Sequence, residues 1–282
     1  MKFIDRLDAS LKLKDSHVCV GLDSRYDRLP QSITKGKTVS KSIYAFNQKI
    51  IEATHDLTAA YKMNLAFYAG FGAEGLEGLR LTNKYLRQKY PETPILADCK
   101  RSEMGESVRM VKKEIFAWLG FDCVMVTPWF GFDTVKDYLE DDGHGVCVYV
   151  HDSNPTAAEF QDLELINGKK IYEYVAEKVA RHWNINGNVF VEAGSTYPKQ
   201  LRRVREIVGE EMMILTAGIG AQGGTVDSLS GLFGKNQKRL LVNSSRGIIF
   251  AGAGKRDYFT AVYQAIRSLH RQLFEAAATA RH

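Results

Sequence analysis

Pairing is what the cysteines lack. The chain of 282 residues has four, Cys19, Cys99, Cys123 and Cys147, each alone inside a separate apolar run. No CxxC pair and no Cys–His set at zinc-like spacing occurs, which argues against a disulfide scaffold or a zinc module and suits buried free thiols in a reducing compartment. The seven histidines fall in no HxxxH or HExxH spacing, so a metal site is not expected. The opening stretch MKFIDRLDASLKLKD carries charge every few residues and has no apolar h-region, and no run is long enough to span a membrane. A soluble, cytoplasmic protein is the expectation. Low-complexity tracts and composition breaks are missing too, so a single domain over residues 1–282 is expected. The net charge of +5 is mild and decides nothing between a small anionic ligand and nucleic acid.

What is present is repetition. With 45% hydrophobic and 25% charged residues the chain can build one sizeable core. Eight runs rich in Val, Ile and Leu recur, at 17–23, 59–67, 94–100, 123–129, 145–152, 188–194, 212–220 and 239–247. They are continuous rather than alternating, as parallel strands covered on both faces require. Stretches with helical spacing lie between them, and an amphipathic segment beginning DYFTAVYQAIRSLH closes the chain. This alternation predicts α/β architecture, a single (β/α)8 TIM barrel. A doubly wound open sheet is the runner-up, and no GxGxxG follows the first strand to support it.

Barrel sites form at the C-terminal ends of the strands. Strand 1 runs out at Asp23, strand 2 carries Lys62, and strand 3 ends in Asp98 and Lys100 with Glu103 just beyond. Strand 5 leads into Asp152, Ser153 and Asn154. Charges inside apolar strands are costly unless paired. Asp98 and Lys100 are two apart and are expected on one side of their strand, with Lys62 beside them. One such pair could simply fix a barrel end, but four ionisable groups at one rim are hard to justify as stabilisers. After strand 7 the segment AGIGAQGG offers glycine-permitted N–H groups, and Arg246 follows strand 8. Together they suggest a phosphate site. Weaker signals have plainer readings. The basic run KQLRRVR at 199–205 suits the solvated face of an outer helix, with no nucleic-acid role, and His151 suits a structural role.

These residues carry a resemblance. From VGLDSR at 20–25 to VNSSRGI at 242–248, the chain resembles the orotidine 5′-monophosphate decarboxylase family through GLD, KMNLAFY, DxKR, DSNPTAAEFQ, STYP, GIGAQGG and SSRGI. The SNP after strand 5 and the overall length look like its longer, bacterial branch. The resemblance implies decarboxylation of orotidine monophosphate to UMP without metal or organic cofactor, by a homodimer whose sites lie at the subunit interface. It implies that Lys100 protonates C6, Asp98 faces the substrate carboxylate and Lys62 bridges Asp98 and the ribose. By the same resemblance Asp23 takes a ribose hydroxyl, Ser153 the pyrimidine edge, and Gln222 with Arg246 the phosphate. Glu103 and Ser107 would reach the partner's site.

Some positions depart from the family pattern. Glu103 stands where an aspartate is usual, Ser107 for threonine, Asp152 for threonine, Ala217 for proline and Ala69 for glutamate. A glutamate moves its carboxylate by about 1 Å, a shift that matters in a preorganised site. Two alternatives follow: a nucleotide-binding homologue with little turnover, and a related metal-using sugar-phosphate decarboxylase or aldolase. GIGAQGG and SNP argue against the second.

Overall fold

The computed structural model describes residues 1–219, 223–233 and 239–279. Eight strands run in chain order: β1 (Val18–Gly21), β2 (Ala60–Asn64), β3 (Ile95–Arg101), β4 (Cys123–Val126), β5 (Gly145–His151), β6 (Val189–Ala193), β7 (Ile214–Thr216) and β8 (Leu240–Ser244). Each pairs in parallel with the next, and β8 pairs with β1, so the sheet closes into a barrel. Every residue of β1, β4, β5, β6, β7 and β8 is buried, which is why these strands read as unbroken apolar runs. All eight expected strands are present.

The main helices are α1 (Phe3–Lys14), α2 (Val39–Thr54), α3 (Gly72–Lys89), α4 (Glu106–Lys112), α5 (Ile171–Lys178), α6 (Pro198–Val208) and α7 (Tyr258–Thr279). Thr38 caps α2 by accepting a hydrogen bond from the Lys41 amide, and the helix buries Ile43, Phe46, Ile50 and Ile51. It lies close against α3, where a Cβ on Gly78 would stand 3.0 Å from Ile43 Cβ. Two crossovers depart from strict strand–helix alternation. Among the described residues, β4–β5 uses the short turns Gly131–Thr134 and Lys136–Glu140, and β7–β8 uses Val226–Leu229. Pro128 with Gly131, and Gly223 with Gly224, interrupt the periodicity that a full helix needs there.

The basic run at 199–205 lies in α6, and Arg202 and Arg203 are exposed as expected. Arg205 corrects that picture. It is buried, and its guanidinium donates at 2.8 Å to each of the Gly209, Met212 and Arg239 carbonyls, tying the helix to the segments that follow it. His151 is buried between the Tyr172 and Tyr197 rings, which agrees with a packing role. All four cysteines are free thiols, and three are fully enclosed.

Helix α1 closes the N-terminal end of the barrel. Its Ile4 amide donates to Asn188 Oδ1 at 3.1 Å, and Arg6 pairs with Asp122 at 2.8 Å. Phe3, completely buried, slides under the start of β5, where a Cβ on Gly145 would lie 2.2 Å from the Phe3 ring. The Gly145→Ala variant is therefore expected to be destabilised by about 1–3 kcal/mol through overpacking. A urea denaturation series against the parent protein checks this. An unchanged midpoint would show that α1 can shift without cost. With this end plugged, the cavity lined by the strand C-termini opens at the opposite face.

Candidate active site

Asp98 sits near the end of β3 at 5% exposure, and three donors converge on its carboxylate. Lys62 Nζ donates to Oδ2 at 2.8 Å, while Lys100 Nζ at 2.5 Å and the Tyr149 hydroxyl at 2.7 Å donate to Oδ1. Lys62 Cα pairs with Leu96, two residues before Asp98, so the long stem of Lys62 covers the step up the barrel. Burial would raise the Asp98 carboxyl, but the Lys62 and Lys100 charges and hydrogen bonds outweigh it and hold Asp98 well below the usual carboxylate range. Burial would likewise lower the Lys62 ammonium, and the Asp23 and Asp98 charges reverse that and carry it above its ordinary value. Asp23 also accepts from the Asn64 amide at 3.0 Å, which fixes it over the end of β2. The result is an alternating row: Asp23, Lys62, Asp98, Lys100.

Strand alternation is not what presents Lys100. The β3–β4 register shifts between Asp98 and Arg101, and Lys100 has φ of 51°, in the left-handed region. That backbone costs about 1–3 kcal/mol in a non-glycine residue and is typical of functional sites. The irregularity turns the Lys100 ammonium back over Asp98, 4.7 Å from the Tyr149 ring centre, and leaves its side chain 46% exposed. An exposed cation on a buried anion is poorly used for stability, because buried pairs contribute little net energy. It is well placed to meet a ligand.

The row forms one wall of a cavity of about 570 Å³ at the barrel mouth. Asp23, Ser153 and Arg246 also line it. The DSNP segment is held in place from β6: a Cβ on Gly194 would lie 2.7 Å from Ser153 Cα, Thr196 donates to the Ser153 carbonyl at 2.9 Å, and Tyr197 to that of Pro155 at 2.8 Å. This explains the STYP stretch as a support. Asp152, the acid at an unusual position, is clasped by Gln161: its amide donates to Gln161 Oε1 at 2.8 Å and Gln161 Nε2 donates to Asp152 Oδ2 at 2.9 Å. The glycine-rich loop is pinned where Gly224 donates to the Gly218 carbonyl at 3.0 Å. Gln222 lies outside the described residues.

Glu103 and Ser107 do not line this cavity. Glu103 is half-buried on the loop after β3, and Ser107 is exposed at the start of α4, its hydroxyl donating to the Met104 carbonyl at 2.9 Å. Other lining residues were not singled out from sequence. Arg25 and Arg28 join Arg246 around the cavity, Arg28 stacking 4.4 Å from the Phe250 ring centre. They belong to the long loop after β1, whose arginines were the available signal. Tyr149 and Glu192 stand on β5 and β6 inside apolar runs, as Asp98 does on β3, and the same rule about costly polar groups in strands would have found them.

The family model for orotidine 5′-phosphate decarboxylase / HUMPS matches residues 16–258. The chain belongs to that family. It is 37% identical over 254 residues to the orotidine 5′-phosphate decarboxylase of Janthinobacterium sp. (strain Marseille), covering 90% of this chain and 91% of the relative. It is 33% identical to that of Cellvibrio japonicus over 282 residues, 99% of this chain and all of the relative. Among solved structures, Leishmania donovani OMP decarboxylase superposes with a TM-score of 0.79 at 27% identity, covering 99% of both chains. The Asp-x-Lys pair of the DxKR segment, with Lys62 and Asp23, thus makes up the charge row in a member of this family.

Proposed function

We propose that this protein, a single barrel domain, decarboxylates orotidine 5′-monophosphate to UMP and CO2 in pyrimidine biosynthesis, without metal or organic cofactor. The observation that carries the reading is Asp98, held ionised and buried between Lys62 and Lys100 on the cavity wall. A carboxylate bound against Asp98 meets a fixed negative charge that is relieved when CO2 departs. The negative charge left at C6 lies next to the Lys100 ammonium, which supplies the proton. The cations are already in place before charge develops, so no reorganisation is needed at the moment of reaction. Lys62 ties Asp98 to the ribose, Asp23 accepts from a ribose hydroxyl, and Ser153 meets the pyrimidine edge. Arg246 and Gln222 grip the phosphate far from the reacting carbon, which turns remote binding energy into closure.

The homodimer belongs to the same proposal. Glu103 and Ser107 stand away from their own chain's cavity and serve the partner's site, in a cytoplasmic enzyme. Loss of the ultraviolet absorbance of orotidine monophosphate on adding the purified protein tests the activity. Tight UMP binding without turnover would instead select the non-catalytic reading. Subunit sharing is tested by mixing Lys100→Ala with Glu103→Ala chains. One of the two sites in each heterodimer is then intact, so verified heterodimers should recover about half the wild-type rate. No recovery would sink the shared site.

A further inference from the structure

Glu192 is the acid that the charge row does not use. It lies within β6, is only 3% exposed and lines the cavity. Its Oε2 has no hydrogen-bond partner, and among the described residues it takes part in no ion pair. A buried carboxyl kept only for packing is normally hydrogen-bonded, since an unsatisfied one is costly. Its register places it: Glu192 pairs with Tyr149 on β5 and Leu215 on β7, and the Tyr149 hydroxyl donates to Asp98. The side chain therefore faces the barrel interior, as that of Tyr149 does.

The groups that act on Glu192 come from three strands. Burial has the largest effect and raises its carboxyl; Asp152 beyond β5 and Asp98 on β3 raise it further, while Lys100 on β3 and Lys62 on β2 pull it down. Cys147 and Tyr149 on β5 feel its charge in return. The balance holds the Glu192 carboxyl well above the ordinary carboxylate range.

We propose that Glu192 is a specificity-determining residue, a neutral carboxylic acid that donates a hydrogen bond to the carboxylate carried by the substrate's base. The proposal rests on the decarboxylase reading, in which that carboxylate lies against Asp98. Two carboxylates side by side repel, and a neutral donor across the cavity offsets the repulsion without adding charge. No proton is transferred: the hydrogen stays on Glu192, and Lys100 remains the group that protonates C6. The bond exists only while the substrate carries its carboxylate, so it contributes to substrate binding and disappears in the product. UMP, which lacks the carboxylate, gains nothing from it.

The test compares wild type with Glu192→Leu and Glu192→Gln at pH 7, measuring KM for orotidine monophosphate and the inhibition constant of UMP. Glu192→Leu is expected to raise KM about tenfold or more, with the loss falling on KM rather than kcat and the UMP constant moving less than about twofold. Glu192→Gln, which keeps a donor, is expected to hold KM near wild type. Equal loss of both ligands, an unchanged KM in Glu192→Leu, or a KM raised as far in Glu192→Gln as in Glu192→Leu would overturn the proposal. If wild type binds both nucleotides without turnover, the decarboxylase reading fails, and calorimetry with the same two ligands still decides the role of Glu192 by whether the loss is confined to the carboxylate-bearing one.

Discussion

Lys100→Ala is expected to lower kcat/KM for orotidine monophosphate by at least roughly 10³-fold, because one side chain supplies two effects. Removing a general acid costs about 10²–10⁴, and removing a fixed charge next to a developing anion costs about 10²–10³. The fold should survive. The Lys100 side chain is 46% exposed, and Asp98 keeps the Lys62 and Tyr149 donors after it is gone. Steady-state kinetics beside a thermal melt separates the two: a large rate loss with a nearly unchanged melting temperature is the expected result. A variant within tenfold of wild type would remove Lys100 from the chemistry and with it the proposed proton transfer.

Asp98→Ala should fail differently. Lys62 is buried at 4% exposure, and the Asp98 carboxylate is its hydrogen-bonded partner. Removing that partner leaves a buried ammonium facing Asp23 alone, so a loss of roughly 3–5 kcal/mol is expected, together with loss of activity. The pH dependence carries a second signature. The folded Asp98 carboxyl lies below its unfolded value, so its contribution is complete above an unfolded carboxylate pKa of about 3.9 and is lost as pH falls through the folded value. The folded Lys62 ammonium lies above its ordinary value, so its contribution is complete below about pH 10.4 and fades as pH rises through the folded value. Urea denaturation across pH should therefore show wild type and Asp98→Asn differing most at intermediate pH and converging in acid. Parallel curves down to low pH would mean that Asp98 is not held ionised in the folded protein.

Much of this was legible in the residues. Continuous apolar runs identify parallel strands because burial on both faces leaves no polar position, and eight of them in alternation leave few architectures besides the barrel. Lys62 and Asp98 were legible for the opposite reason, as charges where the same burial forbids them. Lys100 was legible by residue type but not by cause, since the alternation that seemed to aim it is broken by the register shift at Asp98–Arg101. Arg205 misled, because an arginine in a basic helical run looks solvated until three carbonyls from other turns and segments meet it.

The sequence by itself determined the strand count, the barrel, the charged residues at the strand ends and the glycine-rich and SNP segments, because each follows from local periodicity or from the cost of a charge in an apolar run. Only the tertiary structure decided which of those charges touch, that Tyr149 completes the ring of donors around Asp98, and that Glu192 is left over on the cavity wall. Those outcomes depend on register between strands distant in sequence. Which proton a buried acid keeps is set by the neighbours that register provides.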